Sequence, residues 1–333
     1  MGRVDRLPAR QDDDRDSGTL RPLRGRLIAS ILHAMTDIDH RAVIAGLSPA
    51  DRAALTSRSD GPGLWRITVH FGAIVAIGAA IAVGVPFWPL LLVPQGVLIV
   101  FLFTALHETI HETAFSSSWL NRAVATICGF LILLPPAWFR YFHFAHHRFT
   151  QDPDNDPELM APKPATLAQY LIYLSGARYW SGMAATLARN ALGTNDDPFV
   201  PPKGRDKVIR EARAFLALYA VLLGVSVAGS FTFLWWVWAL PAILGQPFLR
   251  AYLLAEHARC PEVANMLQNT RTTYTTAFIR LIAWNMPYHA EHHAYPAVPF
   301  HKLPRFNGIV REHLRSTENG YARFHRKYVG TLE

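Results

Sequence analysis

Nine of the fifteen histidines in this chain fall in four short places, at the spacing of metal ligands. His107 and His111 lie in "HETIHE", His143, His146 and His147 in "HFAHH", His257 in "AEHARC", and His289, His292 and His293 in "HAEHH". Positions i, i+3 and i+4 share one helix face, so each cluster can aim its imidazoles in one direction. A lone histidine is ordinarily a satisfied polar or surface group, the reading that fits His33, His40, His70, His301, His313 and His325. Repeated clusters at ligand spacing do not fit it.

"HETIH" also matches the H-E-x-x-H of zinc peptidases, in which two histidines hold zinc and the glutamate, here Glu108, is the general base. Such a site needs one further ligand and leaves most of the constellation unused. Nine imidazoles serve two metal ions with four or five nitrogens each. Imidazole suits zinc, copper, iron and nickel alike. A redox-active pair beside a bilayer favours iron and oxygen, and with them hydrogen removal from an unactivated carbon.

The elements that must position these residues are apolar. Half of the 333 residues are hydrophobic and 17% are charged, which puts a membrane class first. The stretches 64–85 and 86–106 each approach the roughly 20 residues that cross a hydrocarbon core. The run 214–255 is long enough for two spans, 214–234 and 235–255, with a turn expected near Gly229-Ser230. Residues 123–134 are too short to cross and read as an interfacial or re-entrant segment. The fold expected is an all-α integral membrane protein, four transmembrane helices beneath a helical cytoplasmic cap that holds a histidine-rich di-metal site. Even numbers of crossings then return all nine histidines to one side.

Around this frame, residues 1–26 read as a disordered mixed-charge segment and 27–63 as a cytoplasmic amphipathic helical segment. Residues 64–310 read as one domain holding the spans and the clustered histidines, and 311–333 as a basic C-terminal tail. Residues 1–26 have no apolar centre of the signal-peptide kind, and Arg6 stands where a myristoylation signal has Ser or Thr. Two cysteines, Cys128 and Cys260, are too few for a disulfide framework or an iron-sulfur cluster.

The net charge of +8 is distributed against nucleic-acid binding. Arg66 is the only Lys or Arg in 64–106 and Arg250 the only one in 214–255. The basic residues crowd the segments between and outside the spans, the positive-inside pattern, which places both termini and the site in the cytoplasm. Gln95, Gln246 and His70 are the main polar residues within the spans, too few for a metal transporter.

The three histidine boxes in order, with two spans between the second and third, resemble the membrane-bound fatty acid desaturase and hydroxylase superfamily over residues 64–310. That resemblance implies two non-haem irons under a four-span stem, with oxygen and a reduced electron carrier consumed. Matched box by box, it implies His107 and His111, His143, His146 and His147, and His289, His292 and His293 as ligands, with His257 the separate ligand before the third box. Glu108 in the first box and the Glu256-His257 pair look like alkane hydroxylases. The second box has desaturase spacing, and "HHAYPAVPFHKLP" is similar to sphingolipid desaturases and carotenoid ketolases. On balance the expectation is an acyl-lipid desaturase, with a hydroxylase or ketolase of an alkane, lipid or carotenoid as the alternative and a zinc peptidase as a distant one.

Several neighbours are candidates to support the ligands. Glu108, Glu112, Glu256 and Glu291 can orient imidazoles through N–H bonds, and Glu108 and Glu291 are the candidate catalytic positions. Asp152, Asp154 and Asp156 in "TQDPDNDPEL" are weighed for the same role. Asn269, Thr270 and Arg271 are expected beneath the third box, and Asn285 on one helical face with His289. Trp235, Trp236 and Trp238 read as interfacial anchors. The partners expected are the membrane, a lipid or other hydrophobic substrate, and a separate ferredoxin or cytochrome, which Arg305, Arg311, Arg315, Arg323, Arg326 and Lys327 can steer by charge.

Overall fold

Four helical stretches are long and apolar enough to cross a membrane: Pro49–Ala82, Trp88–Ile110, Pro202–Ala228 and Trp235–His257. They belong to a computed structural model that describes residues 38–333. The 1–26 segment, the start of the 27–63 segment and His33 lie outside the described residues. The chain opens with α1 (His40–Ala45), α2 (Pro49–Thr56) and α3 (Asp60–Ala82). Ser48 caps α2 by accepting from the Asp51 N–H, and Pro49 starts it where a missing N–H costs nothing. After a tight turn comes α4 (Leu92–Ile110), followed by α5 (Ser118–Leu131) and α6 (Pro136–Phe149).

The pair α5 and α6 is bent by 98° at its break, the geometry of a broken span or a re-entrant loop. Pro135 and Pro136 account for the break. Neither can donate to a continuing helix, and Pro136 starts α6 instead. Two shorter helices, α7 (Leu167–Ser175) and α8 (Ala177–Leu192), meet at Gly176, whose φ of 73° supplies the left-handed corner. The third apolar helix, α9 (Pro202–Ala228), begins well before the expected 214, because its first turns carry the lysines and arginines of 203–213. It stops at Gly229, and Ser230 turns left-handed, at the expected site of the turn.

The last span, α10 (Leu240–His257), crosses α4 at two glycines. A Cβ at Gly96 would lie 1.9 Å from the Pro241 carbonyl oxygen, and one at Gly245 would lie 2.2 Å from the Gly96 carbonyl carbon. Small residues at a crossing let backbones touch. His107 and His257 lie eleven and twelve residues beyond these glycines, so both stand about 16–18 Å past one contact at 1.5 Å per residue. The crossing thereby brings His107 and His257, from distant parts of the chain, to one level.

The remaining chain folds against those helix ends: α11 (Met266–Asn269), β1 (Thr272–Tyr274), α12 (Ala277–Ile282), α13 (His289–Ala294), α14 (Leu303–Val310), β2 (Thr317–Asn319) and α15 (Tyr321–Val329). β1 and β2 pair in parallel, Thr272 opposite Thr317. The 311–333 segment is folded rather than a free tail. Phe324 and Tyr328 of α15 are buried against Tyr170, Leu254 and Ala255. Glu318 also takes up two of the cations expected to steer a carrier, Lys327 at 2.6 Å and Arg323 at 3.3 Å.

Candidate metal centre

α4 carries His107 in its last turn and reaches His111 at its C-cap, while α6 carries His143, His146 and His147 in its last turns. His257 closes α10, and the short α13 supplies His289, His292 and His293. α13 is aimed by the turn before it, where Trp284 and Asn285 are both left-handed, with φ of 50° and 56°. Asn285 donates to the Phe300 carbonyl at 3.0 Å. It therefore precedes the helix of His289 instead of sharing its face, a correction to the periodic reading.

The nine imidazoles converge as two groups. His107, His111, His143, His147 and His292 bring ligand atoms within 4.8 Å of one another, and so do His146, His257 and His293. His289 joins the second group through its Nε2, 3.1 Å from His257 Nε2. Rings of the two groups stack where they meet, His147 on His293 with centroids 4.0 Å apart.

Successive Nε2 atoms stand 3.0 Å apart in His111 and His143, 2.9 Å in His143 and His147, and 3.2 Å in His147 and His292. In the second group the spacings are 3.2 Å for His146 and His257 and 3.1 Å for His257 and His289. These cannot all be hydrogen bonds, since a neutral imidazole has one N–H and one lone pair. A shared cation satisfies all of them, and two ligands at right angles with bonds of about 2.1 Å are about 3.0 Å apart. Both ring nitrogens of His107 and the Nε2 of His293 are buried without a hydrogen-bond partner. Such atoms are costly unless they bind something. The donor set thus fits two metal ions, with five nitrogens in one group and four in the other.

In the second group each Nδ1 faces a protein oxygen. Asp156 Oδ1 lies 2.9 Å from His146 Nδ1, and Thr150 Oγ1 lies 3.1 Å from His293 Nδ1. The Asn269 carbonyl stands 3.5 Å from His257 Nδ1, and Glu256 Oε1 makes a 3.4 Å ion-pair contact with His289 Nδ1. The hydrogen-bonded partners, at His146, His293 and His257, fix the tautomer that turns Nε2 toward a metal.

Of the four glutamates weighed, only Glu256 faces an imidazole. Glu108 Oε1 accepts the Phe300 N–H at 2.9 Å. Glu291 is bonded to Thr272, at 2.5 Å, and to Asn307, and burial pushes its carboxyl up to about 7 against those bonds. Glu112 contributes a carbonyl to Arg58. Asp156 is the one aspartate of its loop at the site, whereas Asp152 caps the turn of Asp154 and Asn155. Asn269 also donates to the Thr150 and Val263 carbonyls, and Arg271 holds the carbonyls of Ala255 and Ala258 just past the last span.

Sequence reading missed Thr150 and Glu158. Thr150 sits four residues after His146, a spacing that signals a shared face. Glu158 Oε2 is 3.2 Å from His146 Nε2. Burial opposes its charge, but Lys163 and His146 hold the carboxyl below the usual carboxylate range. The other described histidines stand apart: His70 bonds the Leu98 carbonyl, His325 that of Ala251, and His40 accepts the Met266 N–H.

A cavity of about 520 Å³ opens onto both groups, reaching His107, His143, His146 and His289. Phe103, Trp138, Phe139, Phe142, Met183 and Leu253 make much of its remaining wall apolar.

Candidate membrane spans, clustered histidines and a largely apolar cavity thus stand together. The chain belongs to the fatty acid desaturase family, which matches residues 82–326. It is 26% identical to a sphingolipid delta(4)-desaturase DES1-like protein of Arabidopsis thaliana, over 66% of this chain and 61% of that one. It is 22% identical to the sn-1 oleoyl-lipid 12-desaturase of a Picosynechococcus species, over 74% of this chain and 76% of the other. A mouse sphingolipid delta(4)-desaturase/C4-monooxygenase DES2 is 25% identical, over 64% and 62%. The chain thus covers less than two thirds of the first of these relatives.

Proposed function

We propose that this protein is a di-iron acyl-lipid desaturase that uses O2 and electrons from a separate ferredoxin or cytochrome-type carrier. One observation carries the reading: two groups of converging imidazoles share a wall of one apolar cavity. His107, His111, His143, His147 and His292 would hold one iron, and His146, His257, His289 and His293 the other. Iron so held supplies, with O2 and electrons, an oxidant able to take hydrogen from an unactivated C–H bond.

The chain's own residues do the rest. Phe103, Phe139 and Leu253 exclude water and lay an acyl chain beside the histidines, where placement within an ångström or so governs rate by about 100-fold. Asp156, Thr150 and the Asn269 carbonyl hold the imidazole protons of His146, His293 and His257 on Nδ1, away from the reacting space. In the peptidase alternative Glu108 would be the base, yet its Oε1 accepts the Phe300 N–H and most of the converging imidazoles are left unused. The positive-inside charge distribution supports a site and termini on the cytoplasmic side.

Whether a second hydrogen is removed, giving a double bond, or oxygen is returned, giving an alcohol, depends on how the chain is held. Two of the three relatives are named only as desaturases and the third also as a monooxygenase, so desaturation is the reading favoured. Lipid mass spectrometry decides it, comparing cells that express this protein with a ferredoxin and its reductase against cells expressing His292→Ala. Desaturation predicts new species lighter by two hydrogens. Species heavier by one oxygen would replace the desaturase with a hydroxylase, and unchanged lipids would turn the search to a non-lipid substrate.

A further inference from the structure

We propose that Glu158 is a carboxylate ligand of the second metal, so that the two metals have unlike donor sets. The inference rests on the metal-centre reading above. His146 Nδ1 is already engaged by Asp156, which leaves Nε2 as its metal-facing nitrogen. Glu158 Oε2 lies 3.2 Å from that Nε2, about as far as His257 Nε2 does. Once Nε2 donates its lone pair to a cation it carries no proton, so the ion pair with a protonated ring cannot persist. An anionic oxygen 3.2 Å from that nitrogen is placed to turn to the cation instead.

The loop is built to hold it there. Asp156 accepts the Gln151 and Glu158 backbone N–H groups, both at 2.9 Å, while bonding His146. Pro157 starts the short 3-10 turn that carries Glu158. One aspartate therefore registers the ligand histidine and the glutamate together. Lys163 binds the other carboxylate oxygen, Oε1, leaving Oε2 for the site. Ligation by Glu158 would give the second group, counted with His289, a fifth donor, to match the five nitrogens that converge in the first. A hard oxygen donor also moves that position away from the metals an all-imidazole set accepts most readily, toward iron or manganese.

The test uses full-length protein purified with iron-57, read by iron per chain and by Mössbauer spectroscopy. Wild type should hold two irons giving two distinct doublets of equal area. Glu158→Gln, nearly the same shape and still able to accept from Lys163, should lose iron from one position, its affinity falling by more than about 100-fold, beyond the range of a change outside the ligand set. The other doublet should stay. Lys163→Ala should keep both irons, because ligation does not need the ammonium. Two irons and unaltered doublets in Glu158→Gln would overturn the proposal, as would equal losses in Glu158→Gln and Lys163→Ala, which would make Glu158 a loop anchor. A wild type without two irons would fail the metal-centre reading itself, a separable result.

Discussion

The two histidine groups are oriented by different physics. In the second, Asp156, Thr150 and Asn269 each present an oxygen to an Nδ1 within hydrogen-bond distance, while Glu256 makes only a 3.4 Å ion-pair contact with His289 Nδ1, which has no hydrogen-bond partner. In the first, the Nδ1 atoms of His107, His147 and His292 are buried with no hydrogen-bond partner. There the rings are set by helix geometry and aromatic neighbours: Phe139 stacks on His143 with centroids 5.4 Å apart, and Phe144 lies 5.1 Å from His111. Packing fixes a ring's plane but leaves its tautomer free, whereas a hydrogen bond fixes both. The tethered group should respond to single polar substitutions to which the packed group is indifferent.

The largest effect that can break this comparison comes from removing a ligand. His292→Ala should abolish turnover and strip iron from the first position, while the tethered second position keeps its metal. Elemental analysis should then give close to one iron per chain. Loss of both irons would mean that the groups form one cooperative cluster, joined through the His147–His293 stack, and the contrast between them would fall.

Asp156→Asn should come next. The amide is the same size but carries no charge and can present its NH2 to the ring, so His146 loses its orienting acceptor. Metal affinity at the second position should drop by about 10–100-fold, with the first position unaffected. Chelator titration monitored by iron content measures it. Equal weakening of both positions would show that Asp156 acts through the α6 backbone rather than through one ring.

Much of this contrast could be read from the chain, for uneven reasons. The converging histidines were legible because helical spacing is written in the sequence, and the four apolar stretches because a bilayer demands about 20 residues each. The 98° break between α5 and α6 was half legible: the short apolar run argued against crossing, and the two prolines mark where the helix ends. What spacing cannot carry is the pairing of distant pieces. Glu256 was singled out because it adjoins His257, yet it serves His289, thirty-three positions along, because the chain returns there. Glu108 and Glu291 looked equivalent to it and bind a backbone N–H and two polar side chains instead. Asn285 was misread because left-handed backbone at Trp284 and Asn285 interrupts the periodicity on which a shared face depends.

The smallest effect sharpens the comparison most. Thr150 Oγ1 donates to the His146 carbonyl at 2.7 Å and stands 3.1 Å from His293 Nδ1, so its hydroxyl accepts the ring N–H while giving its own proton to α6. This links the last turn of α6 to α13 and fixes which nitrogen of His293 points at the metal. Thr150→Val keeps the branched shape, since Val differs chiefly in having a methyl where the hydroxyl was. What it removes is one neutral hydrogen bond to the ring, a net contribution of about 0.5–1.5 kcal/mol, or a few-fold to about 10-fold in affinity. The second position should weaken by that factor, less than with Asp156→Asn because no charge is lost. Iron at the first position should not change, since Thr150 meets that group only through a long 3.4 Å bond to the His147 carbonyl and through none of its ring nitrogens. Were Thr150→Val to loosen the first position as much as the second, orientation by packing and orientation by tethering would be one mechanism, spread across the His147–His293 stack.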